Sequence, residues 1–539
     1  MNTKILITFT FLLVPLIGGA CTLKADLDKG LKEIYSELDN WDNRIKSYTK
    51  FQLLASENKQ VVEVKDKKEQ EHNKSFKELS NIIDQYAANT LQKGNINSLA
   101  IAIYKEGEVY QQYYGELDKK SKQKPNDTTL YEIASISKVF VGSLAAQAVL
   151  EKKIRLDDDI RMYLKGDYAN LQFEGTPITI QNLVTHTLGF KTKTPKKLEK
   201  INKQTNEGYY ENRPFTYTMS DLLQELRTVK LDKKPGTFYD YNSVGPELVA
   251  YILEQVYSKS YKELLQDFLN EVELQHTYLQ AYNTYKKELA VSFGEDGKVA
   301  PLDKNPLLGG AYGMISSLPD LTKFMQFQLE SGHPLIKEST RLLFKEEQNE
   351  DDKGYLWDVG YGQKEGFYYG KTGTSNGVQS GLLICPDSKY GLVLIMNNKS
   401  EAALNDWGNL YNKIETELIL YPKINLVSLL AREFQNNFDL AAVKYRELRE
   451  DTAHYLSGSF YLNNFGYELI HTNQIEKAIA VFELAISEDI SNANLYDSLG
   501  EAYYLNKEYK KALTNYSKSL ELDPHNENAK KSIEKINHL

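Results

Sequence analysis

The segment Ser135-Ile136-Ser137-Lys138 opens the longest helix-like apolar run beyond the N-terminal leader, Val139 to Leu150. A run of that length and composition folds as a helix buried in a core, not as a surface element. Ser135 and Lys138 are spaced i, i+3 and share one face at its start. Four other S-x-x-K matches, Ser47–Lys50, Ser56–Lys59, Ser121–Lys124 and Ser532–Lys535, lie in polar surroundings, where a solvated Lys is the plain reading. Burial disfavours an ammonium, so a Lys held beside Ser135 can accept a proton. A Ser at a helix start also sits where the helix dipole favours developing negative charge.

Runs of strand character lie on both sides of this helix. Ser98 to Tyr104 and Val109 to Tyr114 read as two strands joined by a turn over 105–108. Tyr369 to Thr374, Gly381 to Ile384 and Gly391 to Met396 read as later strands, with a turn signal at Pro386-Asp387-Ser388-Lys389. Ser75 to Leu91 has amphipathic helical spacing, and Leu318-Pro319-Asp320-Leu321 starts a helix that runs through Leu329. Early strands, a mostly helical middle and late strands imply an α+β domain whose single antiparallel sheet is closed from both ends of the segment.

Beyond about Asn398 the chain reads as helical throughout and repeats itself. Gly466 and Gly500 are 34 apart, as are Ala478 and Ala512, and Phe482 and Tyr516; Ala485 and Ser519 keep the register. That is the tetratricopeptide period, with small residues where two helices touch and an aromatic expected between repeats. Residues 526–539 read as a capping helix. Residues 424–458 read as a degenerate earlier repeat: Ala441-Ala442-Val443 resembles a second helix, but the Gly is missing. A separable module over 423–539 is expected.

With 539 residues the chain needs two or three units. A net charge of −9, with no basic stripe, argues against a nucleic-acid partner. The N-terminus reads as an export signal: Lys4, an apolar run from Ile5 to Ile17, then Gly18-Gly19-Ala20 and Cys21. This resembles a bacterial lipoprotein site, with Cys21 lipidated and the protein exported to the periplasm or cell surface on a membrane anchor. Gly18 stands where that pattern prefers Leu, and ordinary cleavage near Ala20 is the other reading. Residues 22–75 are a polar, helical or disordered spacer, which places the first domain at 76–422. Cys385, the other Cys, sits in a strand-like run and reads as core, so no disulfide is expected. Asp157, Asp158 and Asp159 read as an acidic helix-starting turn; without H-x-x-x-H or C-x-x-C, neither metal nor cofactor is expected. Composition gives no physical account of the 38 Tyr.

The S-x-x-K helix, Tyr241-Asn242-Ser243 after Pro235-Gly236, and Lys371-Thr372-Gly373 on a strand form the set of parts of an acyl-transferring serine enzyme. Together with Ile154 to Asp158, Ile178 to Gly189 and Gly310 to Leu321, they make roughly residues 95–400 resemble the serine β-lactamase superfamily, in its class C β-lactamase-like branch. That branch includes penicillin-binding-protein-like DD-carboxypeptidases, D-amino-acid peptidases and esterases. The resemblance implies an antiparallel sheet with helices on both faces, a helical lobe, and a site between them. It makes Ser135 the nucleophile, Lys138 and Tyr241 its base, and Lys371 an electrostatic support that can face a substrate carboxylate. Backbone N–H groups of Ser135 and Thr374 would form the oxyanion hole, with Thr372 and Gly373 along the same strand.

The family's Y-x-N motif ends in Asn, whereas here Ser243 stands in that place with Asn242 before it. Either Ser243 is a shorter hydrogen-bonding substitute, or a local bulge presents Asn242. His186 invites a Ser-His-Asp reading, but the resemblance makes it structural. The expected activity is acyl-enzyme hydrolysis of a peptide, lactam or ester carbonyl, and the Lys of K-T-G leans toward carboxylate-bearing substrates. Small-molecule or peptide substrates and a protein partner on the repeats are implied. The rival reading is a repeat-borne interaction module with a degenerate hydrolase domain.

Overall fold

A computed structural model describes residues 60–346 and 351–538. The leader, Cys21 and most of the polar spacer lie outside the described residues. The chain divides into two units, residues 1–74 and Ser75–Leu539. Everything below concerns the second unit.

Seven strands form one antiparallel sheet. In chain order they are β1 (Ser98–Lys105), β2 (Glu108–Gly115), β3 (Asp352–Lys353), β4 (Asp358–Gly362), β5 (Gly366–Thr374), β6 (Gln379–Cys385) and β7 (Tyr390–Met396). Their order across the sheet is β2-β1-β7-β6-β5-β4-β3. The N-terminal hairpin thus pairs with the last strand, Ile101 lying opposite both Leu394 and Gln112, and the sheet is closed from both ends. β1, β6 and β7 are buried along their whole length. Both faces of the sheet are covered, which is why these strands read as continuous apolar runs and not as alternating ones.

Helices cover both faces. They include α1 (Gln60–Gln92), of which the part from Ser75 onward belongs to this unit, α2 (Ser137–Leu150), α3 (Val244–Tyr257), α4 (Leu318–Glu330) and α5 (Glu401–Leu420). Ala100, Ala102, Leu382, Ile384, Val393 and Ile395 share one core with Val139, Phe140 and Val141 of α2 and with α3 and α4. The alternate residues Leu99, Ile101, Ile103, Leu383, Leu392 and Leu394 share a second core with Leu79, Ile82 and Ile83 of α1 and Trp407, Leu410 and Ile414 of α5. α2 is apolar nearly all round because it is buried nearly all round. α4 starts as its sequence dictates: the Ser317 hydroxyl accepts the Asp320 N–H and Pro319 lies in the first turn.

The C-terminal helices are α6 (Ser459–His471), α7 (Ile475–Glu488), α8 (Ala493–Leu505), α9 (Tyr509–Leu522) and α10 (Glu527–Asn537). A Cβ added to Gly466 would meet the Phe482 ring at 2.3 Å, and one added to Gly500 would meet the Tyr516 ring at 2.9 Å. The aromatic therefore packs onto the glycine of its own repeat. In 424–458, Phe438–Leu448 carries buried Ala441 and Tyr445 at the spacing of Ala478 and Phe482, but the helix before it is broken into Leu426–Leu429 and Ala431–Asn436.

The repeats are not a separate body. Ile424, Leu426, Val427, Phe434 and Tyr445 belong to the same buried cluster as α1, α5 and the outer face of the sheet. The Ser75 hydroxyl lies 3.1 Å from His454 Nδ1, and Glu78 meets both His454 (2.7 Å) and the Tyr455 hydroxyl (3.0 Å). The 34-residue register shows the repeats but carries no sign of this docking.

Candidate active site

Ser135 sits in a single turn of 3-10 helix, Ala134–Ile136, that runs directly into α2. The residue before it, Ala134, is held at φ +44°, a left-handed conformation that an L side chain resists. Such local strain occurs where surrounding packing fixes a side chain for chemistry. The packing here includes β5: a Cβ on Gly373 would lie 2.2 Å from the Ile133 carbonyl oxygen. Only glycine at that position lets the K-T-G strand lie this close to the turn that carries Ser135.

Ser135 Oγ receives two contacts. The Tyr241 hydroxyl donates to it at 2.6 Å and Lys138 Nζ at 3.1 Å. Lys138 also donates to the Ala311 carbonyl at 2.7 Å and is almost wholly buried. Ala311 is in turn held by Glu247 in the first turn of α3. That buried carboxylate accepts from the N–H groups of Leu308, Gly309 and Ala311 and from Asn305 Nδ2. Burial nevertheless pushes the Glu247 carboxyl up.

Cations surround Tyr241. Lys138 Nζ lies 4.8 Å and Lys371 Nζ 5.3 Å from its ring centre. Burial alone would raise the phenol, but the two ammonium charges, with the hydrogen bonds to Lys138 and Ser135, bring it below its ordinary value. A phenol so placed gives up its proton more readily than one in water, so more of it stands as the phenolate that can act as a base. Behind the Ser135 turn lies Glu132, pushed up to about 8 by burial and by the Asp303 carboxylate.

Asn242 does not face the site. Its amide donates to the Asp240 carbonyl at 2.8 Å and accepts the Gly245 N–H at 2.9 Å, so it caps α3. The alternative in which a bulge presents Asn242 to substrate fails for that reason. Ser243 is half-buried at the head of α3 and makes no side-chain cap bond. Thr372 and Thr374 are exposed along β5, and Thr374 Oγ1 donates to Gln379 Oε1 at 2.6 Å.

His186 packs against Tyr241 with ring centres 4.7 Å apart and accepts the Asn242 N–H at Nδ1. Burial, then the nearby lysines, hold it well below its usual range, so it is neutral. No hydrogen bond joins it to Ser135 among the described residues. Asp159 caps a turn of 3-10 helix and Asp157 pairs with Arg155, an acidic turn as the sequence implied. No group of three or more potential metal-ligating side chains occurs among the described residues. Cys385 is buried in β6.

Two residues of the site carry no motif signal. Lys371 Nζ is paired with Asp358 Oδ2 at 2.8 Å, and Lys353 Nζ with Asp358 Oδ1 at 2.9 Å. These groups line a cavity of about 410 Å³ with Tyr239, Tyr241, Asp351 and Thr372. Asp358 is one polar residue in the aromatic run Tyr355 to Val359, and its partners are known only once β3, β4 and β5 lie side by side.

The Beta-lactamase family model matches residues 81–411, more than half of the chain. The chain belongs to the beta-lactamase family. Two tetratricopeptide models match 461–489 and 498–526. Among curated relatives, the protein flp of Staphylococcus aureus strain N315 is 26% identical over 372 residues, covering 67% of this chain and 71% of flp. A beta-lactamase of Providencia stuartii is 22% identical over 353 residues, covering 58% of this chain and 86% of its own. Among solved structures, a beta-lactamase/D-alanine carboxypeptidase from Yersinia pestis superposes with TM-score 0.54 at 20% identity, over 63% of this chain and 98% of that one. An octameric penicillin-binding protein homologue from Pyrococcus abyssi gives 0.53 at 18% identity, over 63% and 78%. The beta-lactamase fold with appended tetratricopeptide helices is thus the architecture that the motifs implied.

Proposed function

We propose that this beta-lactamase family member is an active serine hydrolase that works through an acyl-enzyme on Ser135. The observation that carries the reading is the contact of Ser135 Oγ with both Tyr241 (2.6 Å) and Lys138 (3.1 Å). An isolated hydroxyl is a weak nucleophile and needs a neighbouring acceptor. In the proposed cycle the Tyr241–Lys138 pair takes the Ser135 proton as Oγ attacks the substrate carbonyl. The N–H groups of Ser135 and Thr374 stabilise the oxyanion. Tyr241 returns the proton to the leaving group, and water then cleaves the acyl-enzyme. Lys371 supports the Tyr241 charge. The acyl donor is a peptide, lactam or ester carbonyl. We assign the repeats to a protein partner, and the N-terminal signal with Cys21 to export and lipid anchoring.

Intact-mass measurement after exposure to a fluorophosphonate and, separately, a β-lactam tests the mechanism. One covalent adduct is expected with the fluorophosphonate, lost in Ser135→Ala and retained in Ser121→Ala, and any β-lactam adduct must show the same dependence. An adduct that survives Ser135→Ala would sink the proposal.

A further inference from the structure

The Lys of the K-T-G strand is the group from which carboxylate recognition was expected, and here it is already matched. Lys371 Nζ has Asp358 Oδ2 at 2.8 Å, and the other oxygen of the same carboxylate holds Lys353 Nζ at 2.9 Å. Both lysine side chains are only 5% exposed, whereas the Asp358 side chain keeps 23% exposure toward the cavity that it lines. The rings of Tyr239 and Tyr241 flank the pair: Lys353 Nζ lies 4.4 Å from the centre of the first and Lys371 Nζ 5.3 Å from that of the second. The charged groups lining the cavity are Lys353, Lys371, Asp351 and Asp358, two of each sign.

A substrate carboxylate seated on Lys371 would therefore meet a second carboxylate that already holds that ammonium. Two like charges held around one cation repel. We infer that Asp358 is a specificity-determining residue: it occupies the carboxylate position on Lys371, so the site takes acyl donors that are uncharged or zwitterionic beside the reacting carbonyl, not anionic ones. This rests on Ser135 being the nucleophile. The other groups facing Lys371 agree with it. Desolvation of the buried ammonium is outweighed first by Asp358 and then by Tyr241, so Lys371 stays protonated. Asp358 in turn stays ionised, because Lys371 and Lys353 outweigh its own burial.

The test uses the full chain and two aryl esters with the same acyl group. One leaving group carries a meta-carboxylate, the other the isosteric meta-carboxamide. The readout is the ratio of acylation kcat/KM, anionic over neutral. Asp358→Asn keeps the shape, removes one negative charge, and should raise the ratio by about tenfold or more. Lys353→Met removes a positive charge, leaves Asp358 to Lys371 alone, and should lower it. Opposite shifts from two members of one cluster cannot come from general loosening of the fold. A ratio unchanged in Asp358→Asn, or one that falls, overturns the inference while acylation through Ser135 still stands. Acylation that persists in Ser135→Ala would instead overturn the mechanism.

Discussion

Tyr241 is where the charges of the site converge. It is buried, which by itself disfavours a phenolate, yet Lys138 and Lys371 together outweigh the burial. Its hydroxyl and Lys138 Nζ both reach the same oxygen, Ser135 Oγ, so they act as one proton acceptor. General-base help of this kind is worth about 10²–10⁴ in rate. Lys138→Met and Tyr241→Phe should each slow acylation by about that range, and the double variant should lose far less than the product of the two. The pH dependence has a definite sign. Acylation through the phenolate rises with pH up to the Tyr241 pKa. Removing the Lys138 charge raises that pKa, so the plateau of Lys138→Met should move to higher pH than in the wild type. Stopped-flow acylation rates across pH check both statements; multiplicative losses with an unmoved plateau would separate the two groups into independent roles. The four residues Ser135, Lys138, Tyr241 and Lys371 were legible because each stands in a short motif. Asp358 and Glu247 were not, because their meaning lies in groups that only the fold brings to them.

The elements explain which parts of the fold a sequence displays. β1, β6 and β7 are buried on both faces, and their apolar runs announce them. β3 is only Asp352–Lys353 and β4 is short and interrupted by Gly360 and Gly362, so no periodicity marks them, although they carry Lys353 and Asp358 into the site. The many Tyr acquire a role at this scale. Tyr86, Tyr163, Tyr217, Tyr257 and Tyr455 each donate a hydroxyl proton to a carboxylate, within or between elements, while the ring fills apolar space. A close contact between elements that bears directly on the site is Gly373 of β5 against Ile133. A methyl group there cannot be absorbed by a flexible side chain, because the neighbour is backbone. Gly373→Ala should push β5 away from the Ser135 turn and cut acylation by at least about tenfold, while thermal unfolding shifts only modestly because the rest of β5 stays paired. Wild-type labelling rates in Gly373→Ala would show that the close approach is dispensable.

At the scale of the whole molecule, the second core joins the outer face of the sheet, α1, α5 and the helices beyond residue 424. A cut at 424 removes Ile424, Leu426, Val427 and Phe434 from that core and exposes α1. A truncation after 457 keeps them, along with the Glu78–His454–Tyr455 contacts. The longer form should fold and label at Ser135, and the shorter one should aggregate or fail to express; equal solubility and labelling of both would mean that the first core alone suffices. The same junction contains a titrating group. Glu417 of α5 is buried where Tyr86 of α1 donates to its Oε1 at 2.7 Å, and Oε2 has no hydrogen-bond partner among the described residues. Burial pushes its carboxyl up to about 7. Between an ordinary unfolded value near 4.5 and about 7, the folded chain binds a proton that the unfolded chain has released. Stability contributed here is therefore full below that window, falls as pH rises through it, and is flat above it. The full swing is on the order of 3 kcal/mol. Glu132 and Asp303, raised to about 8 and about 6 in the other core, add slopes of the same sign, so the diagnostic quantity is a difference between proteins. Glu417→Gln keeps the acceptor for Tyr86 and cannot ionise. Its unfolding midpoint should match the wild type near pH 5 and exceed it progressively toward pH 8. Parallel curves across that range would show that Glu417 ionises in the folded state without cost, and that the junction is wet.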